Sequence, residues 1–208
     1  MKKLAYTETK NFPPFLDQIV LMDPKDLVID AYARILCTNC GLYNRGILCP
    51  PLLPLTYPQF KTIDSSREYF DSFDEAYLYV FKNDGRRRWW YQKEWGDFAH
   101  IKLQVRLGRQ LKGVEASSAR KLTHLMKKAE LVNKKRGFTV ATFIQGHCDK
   151  CGKCPNRSNP PCKKGGLPSL EATGINVYSL LKKLGIPYEY PVRNYLTQVA
   201  LMVKKNDS

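Results

Sequence analysis

Phe138-Thr139-Val140-Ala141-Thr142-Phe143-Ile144-Gln145-Gly146-His147-Cys148 joins a strand pattern directly to a cysteine. Aromatic and β-branched residues fill Phe138 to Gln145, which predicts a strand, and Gly146 permits a turn toward Cys148. A strand that ends on candidate ligands places them on a loop at the margin of a sheet. Upstream, Ser117 to Arg136 carries Leu122, Leu125, Met126, Ala129 and Val132 on one helical face, with Gly137 just past its end, and predicts a helix. Ala76-Tyr77-Leu78-Tyr79-Val80-Phe81 predicts another strand, closed by the turn signal Asn83-Asp84-Gly85.

Farther out the same reasoning predicts a short helix over Ser65 to Ser72, a helix over Ser169 to Leu184 closed by Gly185-Ile186-Pro187, and a strand over Tyr195 to Val203. Trp89 to Leu111 matches both periods, and its length and lack of turn residues favour helix. Asn11 to Asp30, with Pro13, Pro14 and Pro24, predicts irregular chain packed across the body, and proline-rich Cys37 to Tyr57 predicts a stiff, bent loop. The order β, α, β, loop, α, β predicts a single α/β domain over residues 1–208. It would have a small mixed sheet, flanking helices and two cysteine-rich metal-binding loops inserted on one fold.

The 208 residues are 43% hydrophobic and 12% aromatic, enough for a buried core, and 13 Gly, 13 Pro and 25% charged residues exclude collagenous or wholly disordered chains. No stretch approaches the roughly 18 apolar residues of a membrane span, and Met1 to Glu8 lacks the apolar run of a secretory signal. These features predict a cytoplasmic protein without a membrane partner.

Seven cysteines in such a chain argue for metal ligation over disulfides. Cys37, Cys40 and Cys49 form C-x2-C-x8-C, and Cys148, Cys151, Cys154 and Cys162 form C-x2-C-x2-C-x7-C, with 98 cysteine-free residues between the groups. Thiolates three residues apart wrap a small cluster because each turn returns the sulfur to the same concave side. One arrangement gives Cys148, Cys151, Cys154 and Cys162 a [4Fe–4S] cluster and leaves Cys37, Cys40 and Cys49 as three ligands of a second cluster with an open iron. In another, Cys49, which precedes Pro50-Pro51, completes the Cys148 group while Cys37 and Cys40 join Cys162. Structural zinc is the competing reading, with Cys37 and Cys40 facing Cys151 and Cys154, but it leaves Cys148 without a role.

Further residues carry a likeness. They are Cys37-x2-Cys40 with Cys49-Pro50-Pro51, then Gly146-x-Cys148-x2-Cys151-x2-Cys154-Pro155, Pro161-Cys162, and Pro168-Ser169-Leu170-Glu171-Ala172-x-Gly174-Ile175-x-Val177. In these the chain, from about Ala31 to the final strand, resembles a family of predicted metal-binding proteins of unknown function found widely in archaea and anaerobic bacteria. The resemblance implies a cysteine-bound metal centre of iron–sulfur type and no established reaction. Where that family carries a longer polar stretch between Cys162 and Pro168, this chain has Lys163-Lys164-Gly165-Gly166.

Lys and Arg number 34 against 19 Asp and Glu, a net charge of +15, and eleven of the basic residues lie between Lys102 and Arg136 beside only Glu115 and Glu130. That excess predicts an acidic redox partner or another anionic ligand, with RNA a further possibility. Arg86-Arg87-Arg88-Trp89-Trp90-Tyr91 combines guanidinium and stacking surfaces, but no RNA-binding motif accompanies it, and a solvated turn before core aromatics explains it more simply. His147 is read as a packing or hydrogen-bonding residue beside Cys148, His100 and His124 as surface or core residues of helical segments without ligand partners, and Glu171 as a first-turn acid after a Ser169 cap. Phosphate-loop, dinucleotide, G-x-S-x-G and H-E-x-x-H signatures are absent. The first functional expectation is an iron–sulfur protein that transfers electrons or performs a reductive step. The alternatives are an open-iron enzyme acting on a sulfur or oxygen substrate, and a zinc-stabilised nucleic-acid-binding module.

Overall fold

A computed structural model describes residues 2–4, 16–39, 43–44, 46–84, 120–146, 148, 162, 165–189 and 195–206. The chain forms β1 (Lys2–Leu4), β2 (Leu16–Met22), α1 (Ala31–Thr38), α2 (Leu53–Thr56), α3 (Ile63–Asp71), β3 (Glu75–Asp84), a helix α4 whose described part is residues 120–135, β4 (Phe138–Ile144), α5 (Val177–Lys183) and β5 (Tyr195–Asn206). The strands build one sheet in the order β1-β2-β3-β5-β4. The α/β class is as the sequence predicts.

The sheet anticipated as mixed is antiparallel at every strand pairing among the described residues. The connections explain this. Met22 at the end of β2 pairs with Ala76 near the start of β3, so residues 23–74 leave and return at the same end of the sheet, as a very long hairpin loop would. The single parallel contact among the described residues is an isolated bridge between Ile144 and Ser169.

β3 and β5 are central and apolar on both faces because both are covered. Ala76, Leu78, Val80, Val199, Leu201 and Val203 face one layer, where they meet Phe60, Phe70, Leu170, Leu180 and Leu181. Tyr79, Phe81, Ala200 and Met202 face the other, against Leu122 and Met126 of α4. The rings of Phe60, Phe70 and Phe143 pack together with centroids 5.2–5.9 Å apart, the range favoured by aromatic pairs. Both cysteine-bearing connections lie in the first layer. They are tied to each other through Asp30 N–H to Gly174 O (2.9 Å), Asn176 N–H to Val28 O (2.8 Å) and the bridge between Ile29 and Ile175.

Three expectations change. Residues 16–22 are a strand, although flanking prolines suggested irregular chain; the prolines bound β2 without entering it. Cys37 lies in the last turn of α1, capped by the Asp30 carboxylate on Ala33 N–H, and the proline-rich loop begins only after it. The helix predicted over Ser169 to Leu184 is broken: Glu171–Thr173 form one 3-10 turn, Gly174 adopts φ 96°, and Asn176 caps α5 anew. The break lets residues 174–176 run beside Val28 to Asp30 and tie the two connections together. The expected helix over Trp89 to Leu111 lies outside the described residues.

Candidate metal centre

β4 ends at Ile144, and the chain turns at Gly146, with φ 78°, toward Cys148. Glu171 fixes that turn. Its Oε2 accepts from Gly146 N–H at 3.0 Å and from the Ser169 hydroxyl at 2.7 Å, joining the start of the cysteine loop to the segment beyond its end. The same segment is stitched to the end of β4 by Ile144 N–H to Pro168 O (3.1 Å) and Leu170 N–H to Ile144 O (2.9 Å), and to the Cys49 loop by Ser169 N–H to Leu48 O (3.4 Å). Glu171 is therefore more than a helix-dipole acid.

Gly166 is where Cys148 and Cys162 meet. A Cβ on this residue would lie 2.7 Å from Cys148 Sγ, 3.5 Å from Cys162 Sγ and 2.6 Å from Leu48 Cδ1. Both sulfurs thus rest against one bare backbone position, no farther from each other than those two sulfur distances combined. Both cysteines are half-buried thiols at the edge of the main core. Tyr57 is close by. Its phenol is pushed upward by burial first, then by the neighbouring Cys162 and by Glu130.

Cys37 and Cys49 are held differently. One turn before Cys37, Arg34 donates to Phe60 O (2.9 Å), Lys61 O (3.1 Å), Thr62 O (3.1 Å) and Ser66 Oγ (2.8 Å), locking α1 onto the start of α3. Burial lowers the pKa of this guanidinium, an effect that nearby Cys37 opposes. Cys49 sits in a turn: its N–H donates to Gly46 O at 3.0 Å, and its carbonyl accepts from Leu52 and Leu53 at 3.0 and 2.9 Å. The following Pro50–Pro51 peptide is cis. Leu48, the residue before Cys49, is the side chain that abuts Gly166.

Of the seven predicted ligands, Cys37, Cys49, Cys148 and Cys162 are described, and Cys148 and Cys162 are brought together. Cys40, Cys151 and Cys154 lie outside the described residues, as do His100, His147 and Arg86 to Tyr91. Among the described residues no three His, Cys, Asp or Glu side chains form a metal-holding group. His124 is exposed on α4. No helix among them is long and apolar enough to cross a membrane.

Sequence reasoning missed Gly166, Arg34 and Tyr57. The signal for Gly166 was the pair Gly165-Gly166 beside a cysteine; a lone arginine within Ala31-Tyr32-Ala33-Arg34-Ile35-Leu36-Cys37 was the signal for Arg34. The donor set tests well against a thiophilic metal: two converging sulfurs, half-buried, at a position where only glycine leaves them room. Comparison with curated proteins and with solved structures gave no match. A family model described as "Predicted metal-binding protein (DUF2284)" matches residues 20–203, and the chain belongs to that family.

Proposed function

We propose that this protein is an iron–sulfur protein that transfers electrons or carries out a reductive step, with Cys148, Cys151, Cys154 and Cys162 holding a [4Fe–4S] cluster. The observation that carries the reading is the convergence of Cys148 and Cys162 on Gly166, which supports assigning the first and last members of the C-x2-C-x2-C-x7-C run to one centre. When bound, such a cluster supplies one-electron redox chemistry. The chain's own contribution is positional: Glu171 holds the entry of the loop at Gly146, Gly166 gives the sulfurs clearance, and core residues shield one side of Cys148 and Cys162 from water. Cys37, Cys40 and Cys49 are proposed as ligands of a second site. The net charge of +15 supports an acidic partner as electron donor or acceptor.

Anaerobic purification followed by iron, sulfide and zinc analysis tests the reading. Brown protein with about four irons and matching acid-labile sulfide is expected, rising to about eight if both groups are filled. Cys148→Ser and Cys162→Ser should each remove the cluster of the second group. Colourless protein carrying zinc and no sulfide would overturn the proposal in favour of a structural zinc protein.

A further inference from the structure

The outer edge of β4 borders a pocket of about 200 Å³ whose lining includes none of the cysteines. Among the described residues β4 is the last strand of the sheet, and the bridge between Ile144 and Ser169 covers its end. Ile144 directs its N–H and C=O outward to Pro168 and Leu170, so by the two-residue alternation the main-chain groups of Thr142 and Val140 point to the same outer edge. Among the described residues no strand pairs with that edge. Tyr57 and Tyr69 border the pocket from the first layer, Lys127 and Glu130 from α4, and Gly166 closes the side toward Cys148 and Cys162.

The polar groups of this pocket include several donors, beside the edge carbonyls and the Gln59 amide. Neither phenol makes a hydrogen bond among the described residues, and burial raises the Tyr69 pKa to about 12, so its O–H keeps its proton. Lys127 gives one bond to Glu130, at 3.1 Å, and has two further donor positions. Glu130 is the one carboxylate present, and it is already engaged by Lys127, by Lys134 at 2.7 Å and by the Thr142 hydroxyl at 3.1 Å. Phe60 and Phe143 supply an apolar floor.

We infer that this pocket binds a small carboxylate with a compact apolar body, its carboxyl group facing Lys127, the two phenols and the Thr142 edge amide, and its body resting on Phe60 and Phe143. The inference is independent of the metal reading, since it uses none of the cysteines. Gly166 lines this pocket and also lies against Cys148 and Cys162.

Calorimetric titration of the full chain with benzoate, its neutral isostere benzamide and inorganic phosphate tests this. Benzoate should bind at least about tenfold more tightly than benzamide, the effect of one charge-assisted hydrogen bond. Lys127→Met and Tyr69→Phe should each weaken benzoate binding by about tenfold, while Lys25→Met, a remote exposed lysine, should leave it unchanged. Circular dichroism of each variant keeps loss of binding distinct from loss of fold. Failure of benzoate to bind at millimolar concentration, equal affinity for benzamide, phosphate binding as tightly as benzoate, or full binding by a folded Lys127→Met protein would each overturn the inference.

Discussion

The two cysteine-bearing connections lie on the same face of the sheet but hold their thiols by different means. In the second, Cys148 and Cys162 come from positions fourteen residues apart in sequence and converge because Gly166 has no side chain and Glu171 fixes the loop entrance. In the first, Cys37 ends a helix and Cys49 sits in a turn, each placed by regular local hydrogen bonding, while Arg34 anchors the helix. Local hydrogen bonding can orient a single thiol, but bringing two distant thiols together needs clearance and a tether from outside the turn. Leu48 couples the regions, since it contacts the Gly166 position through its side chain and Ser169 through its carbonyl.

The largest test of this contrast is Arg34→Ala. It removes a charged donor from four carbonyls, one of them Thr173 O in the second connection, and from the Ser66 hydroxyl, and should destabilise the protein by about 3 kcal/mol, measured by urea denaturation. Arg34→Lys should recover less than half, because an ammonium cannot reproduce the fork that spans residues 60–62. Metal bound by the Cys148 group should be retained in both variants while they remain folded. Its loss would show that the two regions are one unit.

Gly166→Ala acts on the other region. The new methyl group would lie 2.7 Å from Cys148 Sγ and 2.6 Å from Leu48 Cδ1, so something must move, at about 1–3 kcal/mol. Unlike Arg34→Ala, it should lower metal content by more than half even where the fold survives. Normal metal content would break the claim that this glycine positions the sulfurs. Glu171→Ala comes next: it leaves Gly146 N–H and the Ser169 hydroxyl without their acceptor, at about 1–2 kcal/mol. Faster amide exchange at Gly146 than at Ile144 would be its local signature, and Glu171→Gln should restore part of the protection.

The central strands were legible because continuous apolar, β-branched runs have few alternatives: 76–81 lies within β3, 195–203 within β5, and 138–145 overshoots β4 by one residue. The predicted helix over Ser65 to Ser72 is α3 shifted by one or two residues, since Thr62 forms the true capping box with Ser65. Other features depended on partners distant in sequence. β2 is a strand because β1 and β3 pair with it on both sides, and the break at Gly174 exists to meet Val28 to Asp30. For the candidate site, cysteine spacing nominated the candidate ligands, but no spacing rule encodes the clearance at Gly166 or the reach of Glu171 across 25 residues.

The smallest expected effect concerns Glu130 of α4, which shares its pocket with Tyr57 and Gly166. Burial opposes its charge, but hydrogen bonds from Lys134 and Lys127 outweigh that penalty and hold its pKa below the usual carboxylate value. By linkage, a carboxyl group with a depressed folded-state pKa contributes stability that is present above its unfolded pKa, near 4.5, and is lost as pH falls through the lower folded value. Both lysines are partly exposed, at 38% and 53%, so solvent screening keeps the contribution below about 1 kcal/mol. Glu130→Gln should therefore reduce stability slightly at pH 7 and flatten the acid limb of the stability profile below pH 4.5, as read by urea midpoints at successive pH values. Arg34→Ala and Gly166→Ala, which remove no carboxylate, should shift the whole profile downward without changing that limb. A Glu130→Gln profile parallel to the parent protein would show that the two ammonium groups do no more than solvate this carboxylate as water would.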